Sequence, residues 1–342
     1  MKAILPIEII GGGLAGLSLG LALRRAGAPV TVCEAGAYPR HRVCGEFITG
    51  LAPATIARLA LAPLLAGALR HDEVAWFLDG GDRPARIQTL PSPALGLSRH
   101  ALDARLAAAF VEAGGDLRTH TRASDLAPRT GRVFATGRRR GRSPWLGLKI
   151  HARGLTLTRD LELHLGENAY VGLARVETGE VNVCGLFHRR ALCAKGADLL
   201  LGYLQAAGLG ALATRLATAE LDPASFCAVA AVCFDGRVPA SDRVCLGDAC
   251  AMIPPFTGNG MAMAFQSAEI ALDPLLAYAS GAQSWAATGR AINAALCRQF
   301  RLRLATADAL HPFLLTPPRQ RWLRSLNRAR LLPLRPLYAA LH

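Results

Sequence analysis

Lysine is scarce in this chain. Of 39 basic residues only Lys2, Lys149 and Lys195 are lysines, set against 25 acidic residues and a net charge of +14. A shift this strong toward arginine, in an alanine-rich chain, reflects genome composition as readily as function, so charge alone defines no partner. No CxxC pair occurs among the nine cysteines, which argues against a disulfide framework or structural zinc and for a reducing cytosol. No run of about 20 residues is apolar and free of charges and helix breakers, so no transmembrane span is expected. The opening MKAILPIEIIGGG runs straight into a glycine-rich turn, without a secretory cleavage segment. No internal repeat is evident. What is present is a 342-residue chain, 51% hydrophobic and 19% charged, long enough for two or three domains with buried cores. Such a chain is too apolar to be largely disordered.

Hydrophobic periodicity divides the chain. Residues 7–10 predict a strand, 14–25 a helix ended by Gly27, and 30–33 a second strand. A helix is expected near 52–69, a short strand at 74–78, and an amphipathic helix over 98–113 with apolar residues at 102, 106, 109, 110 and 113. Residues 114–144 are polar and glycine-rich around a short strand at 133–135. Beyond 145 the pattern changes to successive strands at 146–151, 155–158, 161–165, 169–173 and 181–187. They predict an antiparallel sheet walling a substrate chamber. Helix returns over 193–221, a strand follows at 244–247, and a long helix over 260–277 precedes a helical, arginine-rich end. A nucleotide-type unit at 5–34 thus lies far from a second strand–loop–helix at 243–277, as in a nucleotide domain interrupted by another.

The first glycine cluster has a specific form. Gly11-Gly12-Gly13-Leu14-Ala15-Gly16 fits GxGxxG through Gly11, Gly13 and Gly16. Gly11 permits the tight turn, Gly13 lets a phosphate approach the backbone, and Gly16 lets helix and strand touch. The helix behind it presents unpaired N–H groups to a pyrophosphate. Glu34, at the end of the second strand, suits a ribose diol. The letters alone are a weak signal; strand, helix, second strand and terminal Glu together make it specific. Later, Gly247-Asp248-Ala249 ends a hydrophobic strand, and Asp248 either caps a turn or accepts bonds from a polyol. The stretch from Pro254 to Met261 leads into a helix whose positive end suits an electron-rich ring or a phosphate.

Three blocks carry a resemblance: GGGLAGLSLGLALRRAGAPVTVCE at 11–34, SRHALDARLAAAF at 98–110, and VCLGDACAMIPPFTGNGMAMAFQSAEIA at 244–271. The chain resembles FAD-dependent oxidoreductases of the p-hydroxybenzoate hydroxylase and geranylgeranyl reductase superfamily. The resemblance implies an α/β fold with a discontinuous, Rossmann-like FAD-binding domain at 1–70, 98–144 and 241–278. It further implies an inserted antiparallel-sheet substrate domain at 71–97 and 145–240, and a helical basic C-terminal region at 279–342. By the same likeness Gly11, Gly13, Ala15, Gly16 and Glu34 hold the ADP half of FAD. Arg42, Arg99, Gly247 and Asp248 approach its ribose, ribityl and pyrophosphate, and Gly258, Asn259, Gly260 and Met261 border the isoalloxazine. Departures are visible: Ala135-Thr136-Gly137-Arg138 lacks the acidic residue of the family's middle motif, and Ala251 replaces a His. The WxWxIP segment of flavin halogenases is missing, which disfavours halogenation.

Cys44 and Pro255 are the candidates at the reacting end. Cys44 lies in Arg40-His41-Arg42-Val43-Cys44-Gly45-Glu46-Phe47, which looks like the CGE segment of the geranylgeranyl reductase branch. It is either a packed structural thiol or one that faces flavin or substrate, and facing arginines would favour its thiolate. Lys149 faces either the cavity or water. His151, His164 and His188 are wall or surface residues whose spacing fits no metal motif, and no metal is expected. Ser18 sits in a GxSxG by letters but inside the first helix, which excludes a hydrolase elbow. Arg138, Arg139, Arg140 and Arg142 form a basic run, and Arg319, Arg321, Arg324, Arg328, Arg330 and Arg335 alternate with Trp322 and leucines. Such an end offers a solvated face, a protein partner or a peripheral contact with anionic membrane. No recognition fold accompanies it, so nucleic acid is not expected.

The resemblance also implies the chemistry. FAD is reduced by NAD(P)H docking transiently, because only one dinucleotide site is complete. The favoured reaction is monooxygenation of a small aromatic or lipid-like secondary metabolite through a flavin C4a-hydroperoxide. The alternative is reduction of an alkene by hydride from flavin N5, with Cys44 as a candidate proton donor. Another flavin dehydrogenase, or a redox-responsive binding protein, stays open. A cytoplasmic protein, peripheral to the membrane at its arginine-rich end, is expected.

Overall fold

The computed structural model describes residues 4–78, 80–123, 125–139, 141–234, 243–328 and 334–341. The chain opens with β1 (Ile7–Ile10), α1 (Leu14–Arg25) and β2 (Val30–Cys33), then forms a two-residue strand β3 (Phe47–Ile48) and a short helix α2 (Pro53–Arg58). Two long strands follow, β4 (Leu69–Phe77) and β5 (Arg86–Gly96), then α3 (Arg99–Glu112), β6 (Asp116–Arg118) and β7 (Arg132–Phe134). Next come β8 (Trp145–Arg153), β9 (Leu161–Gly166), β10 (Ala169–Arg175), β11 (Val181–His188), α4 (Gly196–Ala206), α5 (Gly210–Ala217) and β12 (Glu220–Ala230). The last described elements are β13 (Val244–Cys245), α6 (Gly260–Ala279), α7 (Trp285–Leu315), α8 (Pro317–Arg328) and α9 (Leu334–Leu341).

Two sheets result. The first is parallel throughout, in the order β13-β7-β1-β2-β6, with Ile9 opposite both Val32 and Val133. Ile7, Ile9, Val30, Val32 and Val133 point to the face covered by α1, α3 and α6, whereas Ile10, Cys33 and Phe134 form a small separate cluster on the other face. Helix α1 is buried from Leu14 to Leu23, packed among the sheet, α3 and α6. The second sheet has the order β12-β8-β11-β10-β9-β4-β5-β3. It is mixed, because β4 and β9 run parallel while its other pairs are antiparallel. Apart from that pair, the fold is the expected α/β class: a discontinuous Rossmann-like sheet, an inserted second sheet and C-terminal helices.

Several boundaries differ from the sequence expectation. The helix near 52–69 is confined to α2, because Ala60 takes a left-handed backbone (φ 49°) just beyond it. Residues 155–158 form no strand. Strand β5 hides Pro91 and Pro93 in an edge-like run, and β12 carries Pro223 beside an irregularity between Asp222 and Cys227. Prolines usually argue against strands, which is why both were missed. Arg140, Arg330 and the stretch 235–242, which contains the expected boundary at 240/241, lie outside the described residues.

Glu162 joins the second sheet to α5. Its carboxylate accepts from Thr158 N (2.6 Å), His164 Nε2 (2.9 Å) and Arg215 Nη1 (3.0 Å). Burial opposes its charge, but these partners hold its pKa down to about 2. A carboxyl depressed in the folded state stabilises above its unfolded value and loses that contribution as pH falls through the folded one. Glu162→Gln should therefore cost about 3 kcal/mol at pH 7. In urea unfolding the deficit should shrink as pH is lowered from about 5 to about 2; a deficit independent of pH would contradict this assignment.

Candidate functional site

Four of the five parallel strands end on one cavity. Their carboxyl ends supply Gly11 and Gly13 after β1, Glu34 after β2, Ala135, Thr136 and Gly137 after β7, and Gly247 and Asp248 after β13. The strand order reverses at β1, which lies between β2 and the later β7, and a crevice opens outside the strand ends at such a point. Helix α1 starts there with Gly13 as N-cap, no side chain bonding its first N–H groups and no acid in its first turn. Those donors and the positive helix end are left to the cavity.

The three motif glycines have different jobs. Gly11 holds φ +108°, and a Cβ on it would lie 2.2 Å from the Ala135 carbonyl oxygen. A Cβ on Gly16 would lie 2.0 Å from the Gly11 oxygen, so Gly16 pins α1 to β1 and stays out of the cavity wall. A Cβ on Gly13 meets nothing within 4 Å, so the site floor is open there.

Charged groups ring this end. Glu34 Oε1 accepts from Gly36 N (2.9 Å) and Arg40 (2.7 Å), and Oε2 from Gly12 N (2.8 Å). A carboxylate has about four acceptor sites, so one remains for a hydroxyl. Burial opposes the Glu34 charge, but Gly36 N–H and Arg40 outweigh it and hold its pKa below the ordinary carboxylate value. Arg99, at the start of α3, forks onto Asp103 (Nε–Oδ1 2.7 Å, Nη2–Oδ2 2.8 Å), and Arg42 Nε lies 3.3 Å from the same carboxylate. Burial works against the Arg99 charge, yet Asp103 keeps its pKa above the usual guanidinium value. Asp248 is pushed up by burial, with Arg99 and Arg42 pulling the other way.

The loop after β13 completes this end. Ala15, Arg42, Cys44, Arg99, Pro255, Gly258, Gly260 and Met261 all line the cavity, and Gly258 (φ +69°) turns against the Phe47 ring. Asn259 does not line it. Its Nδ2–H donates to the Leu341 carbonyl (2.7 Å) and its Oδ1 accepts from Thr49 (3.1 Å), which ties the start of α6 to α9. Burial raises the Cys44 thiol pKa although Arg99 faces it, so the group is a thiol at neutral pH. Its Sγ accepts from Glu46 N at 3.5 Å.

Beyond the polar end the cavity, about 960 Å³ in all, becomes apolar, with Trp76, Leu163, Leu186, Met252, Phe256 and Phe313 in its wall. Leu323 of α8 and Tyr338 and Leu341 of α9 close it. The arginine-rich end is thus partly wall: buried Gln320 donates to the Gly166 and Leu314 carbonyls, while Arg319 and Trp322 both lie against Phe313 on the outside.

Lys149 faces neither the cavity nor water. It is fully buried, with Nζ 3.0 Å from His41 Nδ1 and 3.5 Å from Glu46 Oε1. His151 Nε2 lies 2.6 Å from Glu46 Oε2, and its Nδ1 lies 3.3 Å from Glu180. Glu46 itself has a left-handed backbone (φ 54°), a strained conformation for a non-glycine residue. His41, Glu46 and His151 bring potential ligand atoms within 4.8 Å of one another, but the Lys149 ammonium already supplies the positive charge there. His164 stacks on Phe77, and His188 lies edge-on to Trp145. Sequence reasoning singled out Lys149 and His151 but not His41 or Glu46, whose one signal was their place within the Arg40–Phe47 stretch.

No family model matches the chain. A 138-residue segment, 40% of the chain, is 29% identical to a menaquinone reductase of Mycolicibacterium smegmatis. That match spans only 34% of the relative's length. Among solved structures, p-nitrophenol 4-monooxygenase PnpA from Pseudomonas putida superposes with a TM-score of 0.74 at 14% identity, covering 100% of this chain and 97% of that one. A substituted Klebsiella pneumoniae HpxO in complex with FAD gives 0.71 at 18% identity, covering 95% and 96%. The chain shares the fold of these proteins over nearly its whole length.

The glycine geometry is open to a direct test. Gly16→Ala should cost about 1–3 kcal/mol of stability, because the β1–α1 turn must shift. Gly13→Ala should cost under about 1 kcal/mol, the difference between Gly and Ala at an N-cap. Chemical denaturation of both variants checks this, and equal losses would refute the division of roles.

Proposed function

We propose that this chain binds FAD non-covalently and works as an FAD-dependent monooxygenase, reduced by NAD(P)H and acting on a small apolar or aromatic molecule. The observation that carries this reading is the single cavity. It joins an uncapped helix start and a ring of arginines and carboxylates to an apolar chamber. The names of two proteins of the same fold agree with it, one a monooxygenase of a nitrophenol and one holding FAD.

The residues present fit the cofactor. The start of α1 and the open face of Gly13 suit the pyrophosphate, and the spare acceptor of Glu34 suits a ribose hydroxyl. Asp248, Arg42 and Arg99 suit the ribityl and phosphate oxygens, while Pro255, Gly258, Gly260 and Met261 suit the ring. Gly16 and Asn259 act from outside the cavity by fixing α1 and α6. In this reading residues 1–70, 98–144 and 241–278 are the FAD-binding domain, 71–97 and 145–240 the substrate domain, and 279–342 the C-terminal region. Bound FAD supplies hydride acceptance and oxygen activation. The apolar wall orients the substrate and keeps water from the reacting centre. Cys44 packs the cavity beside Arg99.

The partial match to a menaquinone reductase favours one second reading, reduction of an alkene with the Cys44 thiol as proton donor. Purified protein should release FAD on denaturation, and labelled dioxygen should appear in the product of an accepted aromatic substrate. Saturation of a polyprenyl alkene without oxygen would replace the first reading by the second. Gly13→Val should obstruct the phosphate and weaken FAD binding at least about tenfold, and Asp248→Ala should cost roughly 1.5–3 kcal/mol of binding. Cys44→Ser should keep FAD and most oxygen transfer. A loss of about 10² confined to anaerobic alkene reduction would assign Cys44 to proton donation.

Arg319, Arg321 and Trp322 are exposed on α8, which supports a peripheral contact with anionic lipid in a cytoplasmic protein. No helix among the described residues is long and apolar enough to cross a membrane. Because α8 and α9 also close the cavity, truncation would confound the test. Trp322→Ala with Arg321→Glu should lower binding to anionic vesicles and leave FAD affinity unchanged; equal vesicle binding would refute the contact.

A further inference from the structure

Buried polar atoms that go unpaired are rare, because each has lost its water contacts without a replacement. The apolar half of the large cavity holds three. Tyr170 OH, Trp76 Nε1 and Gln88 Oε1 are shut off from water with no hydrogen-bond partner among the described residues, and all three residues line the cavity. The register of the second sheet places them. Trp76 of β4 is opposite Leu163 of β9, Leu163 is opposite Gly172 of β10, and Gly172 is opposite Cys184 of β11. These four residues form one row across the chamber wall. A Cβ on Gly172 would meet only the Cys184 carbonyl oxygen, at 3.9 Å, so the middle of the row is open. Tyr170 stands two residues from Gly172 on the same strand, hence on the same face.

The unpaired atoms are mainly donors. An indole N–H can only donate. Burial raises the Tyr170 pKa well above its ordinary value, so the hydroxyl keeps its proton. The Phe256 N–H faces the Tyr170 oxygen without closing a hydrogen bond, which leaves the hydroxyl proton free. The Gln88 amide offers an acceptor or, turned over, a donor, and so selects for neither. Among the described residues, the charged side chains lining this half are already engaged, Glu162 with Thr158, His164 and Arg215, and Arg86 with a partner of its own. His311, stacked on Phe256 and edge-on to Tyr170, has its pKa brought down to about 4 by burial and is neutral.

We propose that Trp76 and Tyr170 determine the specificity of this chamber, selecting an uncharged aromatic molecule with a hydrogen-bond-accepting carbonyl oxygen over its hydrocarbon analogue and over a carboxylate. The proposal rests on the flavin reading above only in calling that molecule the substrate. The open space over Gly172 takes the flat ring, and the carbonyl oxygen accepts from the indole N–H and the hydroxyl. A hydrocarbon of the same shape leaves both donors buried and unpaired. A carboxylate loses its hydration here and meets no spare positive charge.

Binding tests this without turnover. The FAD-reconstituted protein is titrated by calorimetry at about pH 8 with 2-acetylnaphthalene, with its hydrocarbon isostere 2-isopropenylnaphthalene and with 2-naphthoate. The ketone should bind at least about tenfold more tightly than either of the others. Tyr170→Phe and Trp76→Phe should each weaken ketone binding about three- to tenfold and leave the hydrocarbon as tightly bound as before. The ranking of the three probes needs no substitution, so it carries the test if a variant does not fold. Equal binding of ketone and hydrocarbon, no binding of the ketone, or a carboxylate bound as tightly as the ketone overturns the proposal. Variants that weaken all three probes equally overturn it too, by assigning both residues to packing. Flavin occupancy is read separately from visible absorbance. Its absence after reconstitution overturns the cofactor reading, whereas the heats of probe binding still decide the chamber.

Discussion

Gly16 lies against the carbonyl of Gly11 because Gly16 has no side chain, and much of the site follows from that contact. It brings the first turn of α1 directly onto the end of β1, at the strand where the parallel sheet reverses its order. The ends of β2, β7 and β13 then surround the same opening. A helix start with no capping side chain is a poor arrangement for an isolated helix. Here it is sustained by the burial of ten consecutive residues of α1, from Leu14 to Leu23, among the sheet, α3 and α6.

The cavity is divided by chemistry. Its polar end pairs Arg40 and Arg42 with Glu34, and Arg42 and Arg99 with Asp103, so that these charges, taken from water, retain partners. Arg99 serves in two ways: its guanidinium forks onto Asp103, while its backbone N–H donates to Glu46 (2.9 Å). The first contact belongs to the rim of the large cavity and the second to the buried cluster, so one residue joins the two. The apolar end is assembled from both sheets' surroundings and from α7, α8 and α9, which makes the C-terminal helices part of the chamber.

The oxygenase and alkene-reductase readings share this cavity and the same cofactor contacts. They differ in what must reach the ring and in the source of one proton. Cys44 is a buried thiol with a raised pKa, able to donate only to a strongly basic centre.

Local sequence determined the β1–α1–β2 unit, the uncapped helix start and the place of Glu34, because a tight turn, an apolar helix and an acid at a strand end are all neighbours in the chain. It also marked the Gly247–Asp248 turn and the start of α6. It misjudged β5 and β12, where neighbouring strands override the resistance of proline to extended pairing. Asn259 was placed at the cofactor for its position in the loop, but its partners, Thr49 and Leu341, lie 210 and 82 residues away. Only the tertiary structure could bring Lys149 to His41 and His151 to Glu46 across 108 and 105 residues. Periodicity reports which face a strand buries, whereas an ion pair between a loop and a distant sheet depends on how the layers are docked.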